Sequence, residues 1–135
     1  MLKKSIATTI LLATGFLSVP ASLILAAPPE IIAQRINCNN PRSTVEEKYC
    51  ASVAYEAVDK KLNQVYQQLK SKLTGTEKQR LVEAQLVWIK YRDTTCDFET
   101  YSSRNGTGYG VFLNECLQRI TQQRIKDLQQ YISER

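Results

Sequence analysis

Beyond Ser43, apolar residues recur at steps of three to five along the chain, which is close to the period of an amphipathic helix. The series consists of Tyr49, Val53, Ala57, Leu62, Val65, Leu69 and Leu73. Ser43 and Glu46 have the spacing of a capping box, in which two side chains satisfy free backbone N–H groups at a helix N-terminus. Glycine is common just after a helix. The pattern therefore predicts a first helix that begins near Thr44 and ends at Thr74-Gly75.

The same periodicity predicts a second helix and a third helix, the latter from about Val111 to Ser133. The apolar stripe of the second helix consists of Leu81, Ala84, Trp88, Tyr91 and Thr95, and that of the third consists of Leu113, Leu117, Ile120, Leu128 and Tyr131. The segment Thr76 to Gln79 can cap the second helix. Because the connection at Gly75 is short, the first two helices should form an antiparallel hairpin. No segment shows the alternation of a strand, so we expect an all-α fold, a small three-helix bundle.

The start of the chain has a different composition. Residues 1–27 combine a basic head at Lys3-Lys4, an apolar middle without acidic residues and a small-residue end at Ala26-Ala27. This order is typical of a secretory signal peptide. The alternative is an uncleaved membrane anchor, because the apolar run approaches the ~20 residues that a spanning helix needs, although Pro20 interrupts it. Residues 28–42 lack helical periodicity, which predicts an irregular N-terminal arm ahead of a helical domain over 43–135.

The predicted export suggests a role for the four cysteines, which are Cys38, Cys50, Cys96 and Cys116. In an oxidising compartment, an even number of cysteines in a small domain forms disulfides. Cys38–Cys50 with Cys96–Cys116 is the favoured pairing, because both bridges close short loops and each would stabilise the domain by ~2–4 kcal/mol. Cys50–Cys96 with Cys38–Cys116 is the alternative. We therefore expect a disulfide-stapled bundle.

The chain contains no histidine. This removes Ser-His-Asp and Cys-His catalysis as well as histidine metal sites. There is no C-x-x-C pair for zinc and no glycine-rich nucleotide-binding motif. Paired carboxylates could still hydrolyse a glycosidic bond, and the candidates are Asp59, Asp93, Asp97 and Glu99. We expect no enzyme activity, no cofactor and no metal, since a structural role is the simpler interpretation of these carboxylates.

Five polar residues lie on or beside the apolar stripes. They are Asp59, Asn63, Arg92, Asp93 and Arg124. A charge at such a position persists only if it is paired and hydrogen-bonded. We predict that these residues form a structural polar network that fixes the register of the helices, and that Trp88 is a core residue.

The segment from Tyr101 to Gly110 contains three glycines and no apolar periodicity, which predicts a loop. Tyr101, Arg104 and Tyr109 belong to the residue types enriched at binding hot spots. A bridge at the base of the loop would limit the entropy lost on binding. We therefore predict that this loop is a binding surface for a partner.

The net charge is +5, and without residues 1–27 there are 16 basic and 13 acidic residues, a net charge of +3. This excess is too small to indicate a nucleic-acid partner. A membrane is expected as a partner only if the N-terminal segment is uncleaved.

Several short motifs occur in a fixed order together with the cysteines. They are Asp59-x-x-Leu62-Asn63-x-x-Tyr66, Gln85-x-x-Trp88-x-x-x-Arg92-Asp93-x-x-Cys96 and Cys116-Leu117-x-x-x-Thr121-x-x-Arg124. This order resembles the lysozyme inhibitor LprI-like family, over about Cys38 to Leu128. The resemblance implies an exported binding protein of the bacterial cell envelope, periplasmic or secreted, that inhibits lysozyme by covering its substrate cleft. The alternative is an envelope structural or interaction module that docks on a protein or an anionic polymer without inhibiting an enzyme.

Overall fold

The computed structural model describes residues 36–135, and these residues form three long helices. Helix α1 spans Thr44–Lys72, α2 spans Gly75–Glu99 and α3 spans Tyr109–Ser133, with a short 3-10 helix at Tyr101–Ser103 between α2 and α3. No strand occurs within this part of the chain. The all-α, three-helix prediction is confirmed. The predicted signal segment and the arm up to residue 35 lie outside the described residues.

The N-terminus of α1 is capped much as its sequence indicates. The Ser43 hydroxyl accepts a hydrogen bond from the backbone N–H of Glu46 at 3.3 Å. The Glu46 carboxylate accepts from the backbone N–H of Arg42 at 2.7 Å, one residue earlier than in a standard capping box. The two bonds satisfy donors at the point where the chain enters the helix, so α1 begins at Thr44.

The connection between α1 and α2 is shorter than predicted. Gly75 has a φ of +51°, a conformation that favours glycine, and it is already the first residue of α2. The carbonyl of Thr74 accepts from the backbone N–H of Lys78 at 3.3 Å, which starts the helical ladder. The predicted cap at Thr76 is therefore wrong, because the left-handed glycine reverses the chain before that residue is reached.

The core is divided into two clusters. The larger consists of Leu62, Val65, Leu69, Leu73, Leu81, Ile125 and Leu128, and the smaller consists of Cys96, Cys116 and Ile120. Trp88 packs against both clusters and so connects them. α1 packs most extensively against α3, and α2 packs less closely, mainly against α3.

Not every residue of the predicted stripes is buried. Val53 is 42% exposed and Tyr91 is 57% exposed. The inward face of α2 is set by Leu81, Gln85 and Cys96, and the helical period turns Tyr91 away from it. The predicted stripe of α2 is therefore wrong at Tyr91.

The structure contains the favoured disulfide pairing. Cys38–Cys50 has a Cα–Cα distance of 5.4 Å and ties the irregular segment before α1 to its second turn. Cys96–Cys116 has a Cα–Cα distance of 5.7 Å and joins α2 to α3 inside the core. Within residues 36–135, no helix has the combination of length and apolar composition that crossing a bilayer would need.

Candidate functional site

The segment between α2 and α3 is a short series of turns above the Cys96–Cys116 bridge. The backbone N–H of Ser103 donates to the carbonyl of Thr100 at 3.0 Å, and that of Gly106 donates to the carbonyl of Ser103 at 2.8 Å. Thr100 is buried, and its hydroxyl donates to the carbonyl of Cys96 at 2.6 Å. The loop is therefore held at its base by a covalent bond and along its length by backbone hydrogen bonds.

Two of the three loop residues predicted to bind a partner lie together. Tyr101 is 67% exposed, and the Arg104 guanidinium lies 5.3 Å from the centroid of its ring. Arg104 also forms an ion pair with Asp97 of α2. Tyr109 is the first residue of α3 and is half-buried. The loop thus presents one aromatic ring and one guanidinium in a fixed arrangement.

Two exposed phenylalanines lie near this pair along the chain, and sequence reasoning missed both. Phe98 is 81% exposed near the end of α2, and Phe112 is 52% exposed in the first turn of α3. A signal was available, because neither residue belongs to the apolar stripe of its helix. We give the name loop end to Phe98, Tyr101, Arg104 and Phe112, which all lie within the segment closed by the Cys96–Cys116 bridge.

The predicted polar network is centred on Arg92, whose side chain is only 12% exposed. Its guanidinium lies 3.4 Å from Asp59 of α1 and 2.8 Å from the adjacent Asp93. The Asn63 side chain donates to the Asp59 carboxylate at 3.2 Å. These four residues connect α1 with α2.

Arg124 does not join this network. Its Nε donates to the side-chain oxygen of the buried Gln85 at 3.1 Å, and its guanidinium lies 5.8 Å from the ring centroid of Trp88. The Arg92 guanidinium lies 5.3 Å from the same ring centroid. Trp88 therefore contacts two cations and the core at once.

Arg124 also lines a groove of about 530 Å³ between α2 and α3. The other residues along this α2–α3 groove are Trp88, Tyr91, Arg119, Ile120, Gln122, Gln123, Lys126 and Asp127. Burial lowers the pKa of Arg124 from its usual value, because removal from water disfavours the charged guanidinium. The groove was not predicted, because its residues are brought together only by the packing of two helices.

The four carboxylates considered for hydrolysis are all ion-paired with arginines. Asp59 and Asp93 are paired with Arg92, Asp97 with Arg104, and Glu99 with Arg119. The part of the chain that the structure describes contains no group of three or more acidic, cysteine or histidine side chains placed to hold a metal ion. The geometry therefore fits ion pairing between segments of the chain.

Fold and surface together define a disulfide-stapled helical domain that presents aromatic and arginine side chains at one end. The chain belongs to the lysozyme inhibitor LprI family, whose model matches residues 38–128. An uncharacterised protein of Rhizobium meliloti (strain 1021) is 26% identical over 121 residues, which cover 80% of this chain and 87% of that protein. No solved structure matches the chain. The family is one of inhibitors, in agreement with a role in binding another protein.

Proposed function

We propose that the protein is an exported envelope protein, periplasmic or secreted, that binds a lysozyme and inhibits it by placing the loop end over the substrate cleft. The observation that carries the proposal is the loop end itself, three exposed aromatic rings and one arginine on a disulfide-closed loop. Family membership supports the choice of enzyme.

The loop end has the residue types that contribute most to protein–protein affinity. Aromatic side chains supply a large contact area with few rotatable bonds, so little entropy is lost when they are immobilised, and arginine supplies a planar guanidinium with several hydrogen-bond donors. The Cys96–Cys116 bridge and the 3-10 helix fix the backbone that carries these side chains before binding occurs. A preformed surface therefore lowers the free-energy cost of association.

Arg104 offers a charge for the cleft. Lysozyme carries a pair of carboxyl groups beside the scissile bond, as retaining glycosidases do. The ion pair of Arg104 with Asp97 has partners that are 47% and 58% exposed, and pairs of that kind contribute little free energy. Arg104 can therefore exchange Asp97 for a carboxylate of the enzyme.

The attraction between this protein and a lysozyme would act only at short range. The described residues carry a net positive charge, and animal lysozymes are basic, so the two proteins gain no long-range attraction. Asp97 and Glu99 do not offset this repulsion, since both are paired with arginines. Affinity would rest on aromatic contact and on the exchanged ion pair.

The test is a peptidoglycan-lysis assay with purified protein titrated into animal, bacterial and phage lysozymes at low and moderate salt. We expect saturable inhibition of at least one lysozyme. Tyr101→Ala and Arg104→Ala should each weaken inhibition by about tenfold or more, the usual effect of removing a hot-spot side chain. Arg80→Ala is the matched control, because Arg80 is an exposed arginine of α2 that is ion-paired with Glu83 and lies away from the loop end.

Two results would contradict the proposal. Absence of inhibition by folded, disulfide-bonded protein would favour an envelope interaction module. Inhibition that is unchanged in both loop variants would show that another surface binds the enzyme.

A further inference from the structure

The α2–α3 groove contains an arginine, Arg124, that forms no ion pair with any carboxylate of residues 36–135. Arg124 is half-buried and uses its Nε to bind Gln85, while its two terminal nitrogens have no hydrogen-bond partner among residues 36–135. No carboxylate in this range forms an ion pair with it, in contrast to Arg92, which has two such partners. A guanidinium fork with free donors fits a carboxylate by two parallel hydrogen bonds.

The charges around Arg124 favour an anion. Lys126 is exposed on the same groove and forms no ion pair within the described residues. Arg119 lines the groove as well, although Glu99 is paired with it at 2.5 Å. Asp127 is the one acidic residue lining the groove. Its charge acts on Arg124, but its carboxylate accepts from the side chain of Gln123 at 2.9 Å and forms no ion pair with the guanidinium. The balance of the lining is positive.

The remaining walls of the groove suit the uncharged part of a ligand. Trp88 and Tyr91 form an aromatic wall, and Gln122 and Gln123 offer side-chain amides. An aromatic face packs against flat apolar groups and against the apolar faces of sugars, while amides can donate and accept hydrogen bonds. Partial burial also strengthens an ion pair at Arg124 compared with one in water.

We propose that the α2–α3 groove is a second binding site, which recognises a carboxylate carried next to a flat or apolar group. The carboxylate binds to the fork of Arg124, Lys126 adds attraction at the rim, and the uncharged part packs on Trp88 and Tyr91. The site goes beyond lysozyme inhibition, because it uses a different surface and a different ligand. Two sources of such a ligand, an acidic amino sugar and a peptide C-terminus, share this chemistry.

The protein contains a built-in reporter for this site, since Trp88 is the single tryptophan of the chain. The full-length protein is titrated by fluorescence with two matched pairs of probes. One pair is N-acetylmuramic acid and N-acetylglucosamine, and the other is N-acetyl-alanyl-alanine and its C-terminal amide. Because no lysozyme is present, the result is independent of inhibition.

We expect a saturable change in Trp88 emission with at least one acid in the millimolar range, and binding of its neutral counterpart that is about tenfold weaker or undetectable. Binding of the sugar acid alone would identify a glycan ligand, binding of the peptide acid alone would identify a peptide C-terminus, and binding of both would identify the carboxylate as the main determinant. Each of these three results supports the site.

Variants separate binding from a structural role of Arg124. Arg124→Gln keeps a donor for Gln85 but removes the guanidinium, and it should weaken acid binding by about tenfold while the helical circular dichroism is unchanged. Lys126→Ala should weaken it by a few-fold. Lys61→Ala removes the same charge from an exposed position on α1 and serves as the control.

The proposal is overturned if acid and neutral probes bind equally, if neither acid gives a saturable change, or if Arg124→Gln binds like the unmodified protein. If Arg124→Gln does not fold, two other measurements test the site: the ratio of acid to neutral affinity in the unmodified protein, and the affinity of Lys126→Ala for the acid. Acid binding should also weaken as salt is raised, because salt screens the charge at the exposed rim.

Discussion

Thr100 and Thr121 are both buried, and they differ in how their hydroxyl groups are satisfied. The Thr100 hydroxyl donates to the carbonyl of Cys96 at 2.6 Å. Thr121 is 0% exposed, and its hydroxyl oxygen has no hydrogen-bond partner within residues 36–135. A buried hydroxyl without a partner costs about 1–3 kcal/mol by mutational measures. The Thr121 hydroxyl should therefore lower the free energy of unfolding, and the Thr100 hydroxyl should raise it.

Thr121→Val replaces the unpaired hydroxyl with a methyl group of nearly the same shape. We expect the free energy of unfolding to rise by up to about 1 kcal/mol, whereas Thr100→Val should lower it by about 1 kcal/mol because a hydrogen bond is lost. Urea denaturation of both variants measures the two changes. If Thr121→Val is as destabilising as Thr100→Val, a partner outside the described residues satisfies the hydroxyl.

Tyr55 of α1 introduces a dependence of stability on pH. Burial raises the pKa of Tyr55, the charge of Arg92 opposes this rise, and Asp59 and Asp93 add to it. The folded protein therefore favours the neutral phenol more strongly than the unfolded chain does. Its contribution to stability is complete below the unfolded pKa of about 10 and is lost as the pH rises through the folded pKa.

We expect the free energy of unfolding to fall above about pH 10, and to fall less steeply in Tyr55→Phe, which has no phenol to ionise. Denaturant unfolding between neutral pH and about pH 11 measures the two slopes. Parallel curves for the two proteins would show that ionisation of Tyr55 is not coupled to folding.

At the scale of elements, the two disulfides have similar loop lengths and different surroundings. They close sequence separations of 12 and 20 residues, for which chain entropy alone predicts nearly equal stabilisation of about 3 kcal/mol. Cys96 and Cys116 are 0% and 5% exposed in the core, whereas Cys38 is exposed and ties down only the irregular segment before α1. The environment, and not the loop length, should decide which bridge matters more.

The double variant Cys96→Ala/Cys116→Ala should lose at least about 3 kcal/mol, because it releases the loop and leaves a gap in the core. Cys38→Ala/Cys50→Ala should lose less, because the arm can fray while the three helices stay packed. Thermal and urea unfolding of the two variants compare these losses. Equal losses would show that the arm is part of the cooperative unit.

Helix α2 shows where sequence periodicity stops being informative. Leu86 and Val87 are 63% and 71% exposed, while Leu81 and Trp88 face the core. Apolar residues thus lie around the whole circumference of α2, so that periodicity could identify a helix but could not decide which face is inward. The apolar stripe predicted for α2 therefore included the exposed Tyr91, whereas the stripe predicted for α1 is buried only over its second half, from Leu62 to Leu73.

At the scale of the whole molecule, the three helices separate the candidate surfaces. The α1–α3 pair holds most of the large core cluster, and α2 completes it while leaving its outer side in solvent. The geometry of the loop end and that of the α2–α3 groove both depend on the position in which α2 packs. A binding surface for an enzyme and a site for a carboxylate can therefore coexist on a domain of this size.

The sequence by itself determined the helical class, the start of α1 after Ser43, the candidate loop and the resemblance to the family, because these depend on local spacing and residue type. Only the tertiary structure decided which of the three possible disulfide pairings forms and which polar residues meet. It placed Arg92 between Asp59 and Asp93 and left Arg124 on an open groove beside Trp88. The physical reason is that the distance between residues on different helices depends on how the helices pack. The local spacing of residues along the chain carries no information about that packing.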